Sequence, residues 1–341
     1  MRNIRTAAFL VSASLLLGAA AASAQTLSLE QLKSGTNAPV PAPVAAAAPA
    51  RVNGLDATAE YAAAFEKAGT KNPEGTQKLK AYKFILVSGL FSNLDKSKLP
   101  LAKKKPAAKP KPHFAEQIAW LKSIGAEYEL LSMKSESSVQ VNAAIISAAI
   151  KASDKPVMIV GSSKGGLDVL EALVAEQELA PKVRGVVMCQ IPFLGTPVAD
   201  YVMEHRGIAG PLSRFLERVG GSIDSMINLT TADRKAYLEN NAAAVSSVIS
   251  AVPIISVATW KDPSEKDQDT GLRPLRNWML KQGLKNDGLV TVDSAILPGT
   301  DYIKIPGVDH GATIKKTKKI EFDRARFAEA VFMMLLARQA N

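Results

Sequence analysis

The chain has 341 residues, one cysteine and a net charge of +10 at pH 7, from 42 lysine and arginine residues against 32 aspartate and glutamate residues. This length allows one large domain or two small ones, and a single cysteine excludes an intrachain disulfide framework. The positive charge favours anionic surfaces in general. Because no nucleic-acid-binding motif accompanies it, we expect a solvated basic face with at most peripheral contact to anionic surfaces, and no nucleic-acid partner.

The N-terminus has the pattern of a secretory signal peptide. Arg2 and Arg5 precede an apolar run over residues 7–21, and residues 22–24 read Ala-Ser-Ala, which suits signal peptidase. An uncleaved membrane anchor is the alternative, but the run is short for a bilayer. We therefore expect residues 1–24 to be removed on export to the periplasm or beyond, which leaves 40 basic and 32 acidic residues, a net charge of +8.

Residues 25–58 are rich in proline and alanine and are predicted to be a flexible segment. After it, apolar runs of strand length alternate with helical patterns, which predicts an α/β fold with a mostly parallel sheet covered on both faces. Ligands of such sheets bind at the carboxyl ends of the strands. Strands are predicted at 83–89, 128–132, 156–160, 184–191, 253–259 and 301–307, and helices at 113–123, 139–152, 166–175 and about 321–338.

Two segments interrupt this alternation. Residues 101–112 are too rich in lysine and proline for a core element, so they are predicted to form an exposed basic loop. Residues 200–250 contain several helical patterns without a strand, including one that covers 232–250, and are predicted to form a helical cap.

Residues 161–165 read Gly-Ser-Ser-Lys-Gly and fit G-x-S-x-G with Ser163 at the centre. The pentapeptide alone is a weak signal, but it lies between a predicted strand and a predicted helix, the setting in which this motif presents a nucleophile. Gly161 and Gly165 let the strand and helix approach closely, and the backbone N–H of Lys164 can donate to an oxyanion. A phosphate-binding loop is the alternative, but its characteristic glycine spacings are absent.

A serine nucleophile needs a base and an acid further along the chain. His310 follows the predicted strand 301–307 and is the better base, since the other two histidines, His113 and His205, lie before the serine and within the predicted cap. Asp287, in a turn 23 positions before His310, is favoured as the acid, and Asp262 is the rival. The acid holds the imidazole in the correct tautomer.

Metal and cofactor chemistry have little support in the sequence. Neither an H-E-x-x-H motif nor a cysteine–histidine cluster occurs. The single cysteine, Cys189, lies in an apolar run and is predicted to be a buried thiol rather than a nucleophile. We therefore expect neither a metal site nor a cofactor.

These motifs together resemble the lipase and esterase branch of the α/β-hydrolases, particularly bacterial triacylglycerol lipases, over about residues 82–315. The similar segments are ILVSGL, VGSSKGGLD, IPFLGTPVAD, INLTTADRKAYLE and NDGLVTVDSA followed by GVDHG. The resemblance implies an α/β-hydrolase domain over 59–341 with a helical cap. It also implies roles for five residues: Ser163 as nucleophile, Asp287 as acid, His310 as base, and the backbone N–H groups of Leu90 and Lys164 as the oxyanion hole.

The expected function is an exported serine hydrolase that cleaves small-molecule or lipid esters through an acyl-enzyme. Two alternatives stay open: an acyltransferase on the same scaffold, and a non-catalytic binding protein. The second is suggested by Ser88, which stands where the family usually has histidine before the oxyanion residue. Apolar side chains recur at helical spacing in the cap (Leu212, Phe215, Leu216 and Val219), so we expect a preference for apolar acyl groups over acetate.

Overall fold

A parallel β-sheet positions the site, and six strands form it within the residues that the structure describes. The computed structural model describes residues 54–70, 72–89, 112–133, 137–205, 226–263, 272–316 and 321–339. All of them belong to one structural unit, Ala47–Asn341. Five features predicted from the sequence lie outside these residues: the signal peptide, the flexible segment up to residue 53, Leu90, the basic loop up to residue 111, and residues 206–225 of the cap.

The strands have the order β2-β1-β3-β4-β5-β6, and every neighbouring pair is parallel. They are β1 (Lys83–Val87), β2 (Glu127–Leu130), β3 (Val157–Ser162), β4 (Val183–Cys189), β5 (Ile254–Trp260) and β6 (Asp301–Pro306). From β1 the sheet extends to β2 on one side and to β3, β4, β5 and β6 in chain order on the other. Because all strands are parallel, the carboxyl ends of β3 to β6 lie side by side at one edge. The predicted parallel α/β sheet is confirmed.

Helices precede β1, connect the strands and follow β6. They are α1 (Thr58–Lys67), α2 (Pro73–Leu79), α3 (Ala115–Ser123), α4 (Val139–Lys151), α5 (Lys164–Ala175), α6 (Pro197–Glu204), α7 (Thr231–Asn240), α8 (Ala242–Ala251), α9 (Arg273–Leu280) and α10 (Arg324–Ala337), with a 3-10 helix at Gln177–Lys182. None of the described helices is both long and apolar enough to cross a bilayer.

The two faces of the sheet are buried in two separate apolar layers. Alternate residues of a strand point to opposite faces, so Ile85 and Ile159 pack with helices α4, α5 and α8, while Phe84 and Met158 pack with α1, α3 and α10. Both layers exclude water, and each fully buried aliphatic side chain contributes about 1.5–3 kcal/mol. This double cover makes the sheet a rigid support for the loops at its edge.

Three local features differ from the sequence prediction. Helix α5 begins at Lys164, two residues earlier than expected, although Gly165 and Gly166 are poor helix formers. The helical pattern at 232–250 is broken at Asn241, which separates α7 from α8. Within the predicted flexible segment, the backbone N–H of Ala57 donates to the carbonyl of Tyr302 on β6.

Candidate active site

Ser163 occupies a sharp turn between β3 and α5. Its backbone has φ 53° and ψ −136°, a conformation that is rare for residues other than glycine and costs about 1–3 kcal/mol. The turn is held by two hydrogen bonds: the N–H of Ser163 donates to the carbonyl of Cys189, and that of Gly166 donates to the carbonyl of Ser163, both at 2.9 Å. The turn leaves Ser163 partly exposed, whereas the residues on either side of it are buried.

Glycines make this turn sterically possible. A Cβ atom on Gly161 would lie 2.7 Å from the Cα atom of Gly166, and one on Gly165 would lie 2.7 Å from the carbonyl oxygen of Ser88. A Cβ atom on Gly89 would lie 2.7 Å from the Cβ atom of Ser163. The strand, the helix and the segment after β1 therefore meet around the serine more closely than any other residue type permits.

His310 and Asp287 reach the serine from neighbouring loops. The Nε2 atom of His310 lies 2.9 Å from Ser163 Oγ, and its Nδ1 atom lies 2.9 Å from Asp287 Oδ2. A carboxylate only accepts hydrogen bonds, so Nδ1 carries the proton and Nε2 is left to accept from the hydroxyl. We call these three side chains the triad; the three residues that the sequence singled out as nucleophile, base and acid are in hydrogen-bond contact.

Backbone groups fix the carboxylate of Asp287. Its Oδ1 atom accepts from the N–H groups of Leu289 at 3.0 Å and Val290 at 2.8 Å, which leaves Oδ2 for the imidazole. The N–H of His310 donates to the carbonyl of Asp287 at 2.9 Å, so backbone and side chain both join the two residues. Asp287 is 1% exposed. Its rival Asp262 is exposed and is not joined to His310 by any of these bonds.

Of the two predicted oxyanion donors, one falls within the described residues. The N–H of Lys164 stands at the first position of α5, where helix N–H groups have no partner within the helix. A Cβ atom on Gly89 would lie 3.2 Å from that nitrogen, so the segment after β1 passes directly beside it. Leu90 follows Gly89 but is outside the described residues.

The side chain of Lys164 turns away from the triad into the protein. Its Nζ atom lies 2.9 Å from Asp168 Oδ1, and Asn142 Nδ2 donates to Asp168 Oδ2 at 3.0 Å. Burial raises the pKa of Asp168 to about 6, although Lys164 and Asn142 act in the opposite direction. We call these three residues the buried network. Sequence reasoning missed it, and the Lys–Asp spacing of four on one helix is the signal that could have revealed it.

The side chains of the remaining histidines and of the cysteine are not members of the triad. His205 stacks on Tyr201 with 4.0 Å between ring centroids. His113 is buried enough to lower its pKa to about 4, with a further contribution from the charge of Lys315. Burial raises the pKa of Cys189 to about 12, which suits an inert thiol. Among the described residues, no group of three or more His, Cys, Asp or Glu side chains is arranged to hold a metal ion.

Comparison by sequence finds no matching family profile and no matching curated protein. Comparison of structures finds a metagenomic carboxyl esterase at a TM-score of 0.60 and 23% identity, covering 76% of each chain. A Bacillus licheniformis lipase in its mature form aligns at a TM-score of 0.57 and 20% identity, covering 79% of this chain and 95% of the lipase. With its parallel sheet, its layers of helices and these structural neighbours, the chain has the α/β-hydrolase fold.

Proposed function

We propose that the protein hydrolyses carboxylic esters with Ser163 as the nucleophile. The observation that carries this proposal is the pair of 2.9 Å contacts that join Ser163 Oγ to His310 and His310 to Asp287. The structural neighbours described as a carboxyl esterase and a lipase support ester hydrolysis as the reaction class. The strained backbone at Ser163 also fits, because such strain is concentrated at functional sites.

In the proposed reaction, Ser163 Oγ attacks the ester carbonyl carbon while its proton passes to His310 Nε2. Asp287 holds the imidazole by its Nδ1 proton and stabilises the imidazolium that forms. The tetrahedral intermediate collapses when His310 returns the proton to the departing alcohol, which leaves an acyl-enzyme. Water then attacks the acyl carbon with His310 as base, and release of the carboxylic acid restores the serine.

The oxyanion of each tetrahedral intermediate needs donors that are already in place. We assign this role to the backbone N–H groups of Lys164 and Leu90. The position of Lys164 at the start of α5 supports the first assignment. For the second, the support is the approach of Gly89 to Ser163. A backbone donor does not depend on the side chain at position 88, so Ser88 is compatible with catalysis.

We further propose that the substrate is a small-molecule or lipid ester and that the protein acts after export. The support is the apolar helical pattern of the predicted cap and the leader pattern of residues 1–24. An apolar acyl pocket stabilises each added methylene by about 0.8 kcal/mol when fully buried, which is at most about fourfold in kcat/KM. Activity on p-nitrophenyl esters should therefore rise from acetate over the first few carbons. A steady fall from acetate to octanoate would contradict the apolar pocket.

The central test is covalent labelling with a fluorophosphonate, combined with turnover of p-nitrophenyl butyrate. The wild-type protein should react at Ser163, and Ser163→Ala should lose both labelling and at least about four powers of ten in turnover. Ser162→Ala is the matched control, because Ser162 is adjacent but 1% exposed; it should label and turn over like the wild type. Labelling that survives in Ser163→Ala would refute the proposal.

A further inference from the structure

Gln190 occupies an unusual position next to the triad. It directly follows β4, at the sheet edge where Ser163 lies, and is completely buried. Its φ of 59° is in the left-handed region, which a glutamine adopts only when surrounding bonds impose it. Its N–H donates to the carbonyl of Val257 on β5, at 2.8 Å, and so extends the β4–β5 ladder by one residue.

The side-chain amide of Gln190 reaches the loop that carries His310. Its Nε2 atom donates to the carbonyl of Asp309 at 2.9 Å, and its Oε1 atom accepts from the N–H of Gly311 at 2.8 Å. These two residues flank His310. The amide therefore holds the backbone on both sides of the histidine, one by donating and the other by accepting.

Two threonines complete the partners of this amide. Nε2 also donates to Thr259 Oγ1 at the end of β5, at 2.5 Å, and Oε1 accepts from Thr313 Oγ1 at 3.1 Å. A primary amide has two donor hydrogens and two acceptor lone pairs, so every hydrogen-bonding position of Gln190 is used. The side chain connects β4, β5 and the histidine loop through four bonds.

The histidine loop depends on such external bonds. Strand β6 ends at Pro306, and His310 lies four residues beyond it in a segment without regular structure. The N–H of His310 itself donates to the carbonyl of Asp287. The N–H of Val308 donates to the carbonyl of Trp260 at 3.2 Å before the histidine, and Gln117 Nε2 donates to the carbonyl of Thr313 at 2.7 Å after it. The Gln190 amide adds bonds at the two residues directly beside His310.

We propose that Gln190 is a positioning residue that sets the imidazole of His310 for proton transfer from Ser163. The inference rests on the proposed function and deepens it. A side chain in this place must donate to one carbonyl and accept from one N–H, and the glutamine amide does both while uncharged. A displacement of about 1 Å at a reacting group can cost about 100-fold in rate, so the effect of Gln190 should appear in kcat rather than in substrate binding.

The test measures kcat and KM for p-nitrophenyl butyrate together with the free energy of unfolding. Gln190→Met keeps the length of the side chain but removes all four bonds, and kcat should fall about 10- to 100-fold with KM within about threefold of wild type. Gln190→Glu keeps the oxygen that accepts from Gly311 and Thr313, so its kcat should lie between that of the wild type and that of Gln190→Met. As a buried acid, however, the glutamate should destabilise the fold more than methionine does. If Gln190 positions His310, kcat should be lower in Gln190→Met than in Gln190→Glu. If Gln190 only stabilises the fold, kcat should follow stability and be lower in Gln190→Glu.

Ser256→Ala is the matched control, because Ser256 is a buried residue of β5 whose hydroxyl bonds to Thr300 and Leu297, away from the histidine loop. It should lower stability without lowering kcat. If Gln190→Met does not fold, Thr259→Val removes one anchor of the amide and should lower kcat at least about threefold.

The outcomes separate the two proposals. Wild-type protein without Ser163-dependent turnover would overturn the proposed function. If the wild type is active and kcat is unchanged in Gln190→Met, the positioning role alone is overturned. If Gln190→Met does not fold, an unchanged kcat in Thr259→Val has the same meaning. Values of kcat that follow the order of stability among the variants would also overturn the positioning role.

Discussion

The triad and the buried network begin at neighbouring residues and contain similar groups, yet only one of them can meet a substrate. Each places a carboxylate 2.9 Å from a nitrogen: Asp287 from His310, and Asp168 from Lys164. The triad ends in Ser163, which is partly exposed. The buried network ends in side chains that are 1–2% exposed. One turn of backbone, with a positive φ at Ser163, sends the two neighbours in opposite directions.

The two carboxylates are also stabilised differently. Asp287 accepts two backbone N–H groups that the fold fixes in place. Asp168 relies on the side chains of Lys164 and Asn142, and burial outweighs them, so its pKa is raised to about 6. Oriented backbone groups thus support the acid of the proposed reaction, whereas the buried network is replaceable in principle by apolar packing. The following experiments test that distinction.

The largest effect is expected from the carboxylate of the triad. Asp287→Asn should lower kcat/KM for a p-nitrophenyl ester about 10³- to 10⁴-fold, because an amide favours the wrong imidazole tautomer. Asp262→Asn, which changes an exposed residue, should lower it less than about threefold. Steady-state kinetics of both purified variants decides, and the opposite ranking would assign the acid role to Asp262.

A smaller effect is expected from breaking the buried network on one side. Lys164→Met leaves Asp168 buried without its cationic partner and should lower the free energy of unfolding by about 3–5 kcal/mol, measured by denaturant titration. Removing both charges with Lys164→Met and Asp168→Leu is the control. The double variant should recover to within about 1 kcal/mol of wild type or exceed it. A double variant as unstable as the single one would show that the ion pair itself stabilises the fold.

The smallest effect is a pH dependence of stability. Because the pKa of Asp168 is raised in the folded state to about 6 from an ordinary value of 3.8, protonation favours the folded protein. Its contribution to stability therefore grows as the pH falls through 6 and is lost as the pH rises. Between pH 7 and pH 4.5 the wild type should gain about 2 kcal/mol relative to the Lys164→Met, Asp168→Leu variant. A difference between the two proteins that does not change with pH would contradict the raised pKa.

The sequence predicted those parts of the molecule that short patterns encode. The parallel sheet follows from alternating apolar strands and helical stretches, and the turn at Ser163 follows from a motif in its proper setting. The start of α5 at Lys164 was missed, because glycine is a poor helix former by propensity. Here packing decides: a Cβ atom on Gly166 would lie 2.1 Å from Ile191 Cδ1.

The role of Gln190 could not be read from the sequence, and of the buried network only the spacing of four between Lys164 and Asp168 was visible there. Gln190 is one polar residue at the end of an apolar run, and its four partners lie 69 to 123 positions away. Helix α9 was not predicted, since Pro274 and three polar residues weaken its apolar pattern. The contacts of Gln190 depend on which strand ends meet, and that is a property of the assembled sheet.

The distance along the chain between the triad residues has a consequence for folding. Ser163 and His310 are 147 positions apart, and β4, β5 and β6 separate them along the chain, so we expect them to meet only after these strands have joined the sheet. Contacts of such long range are formed late and slowly, because loop closure costs entropy before it is rewarded. Labelling by a fluorophosphonate during refolding should therefore report when the whole sheet is complete. A fragment of the chain that ends before β6 should not be labelled.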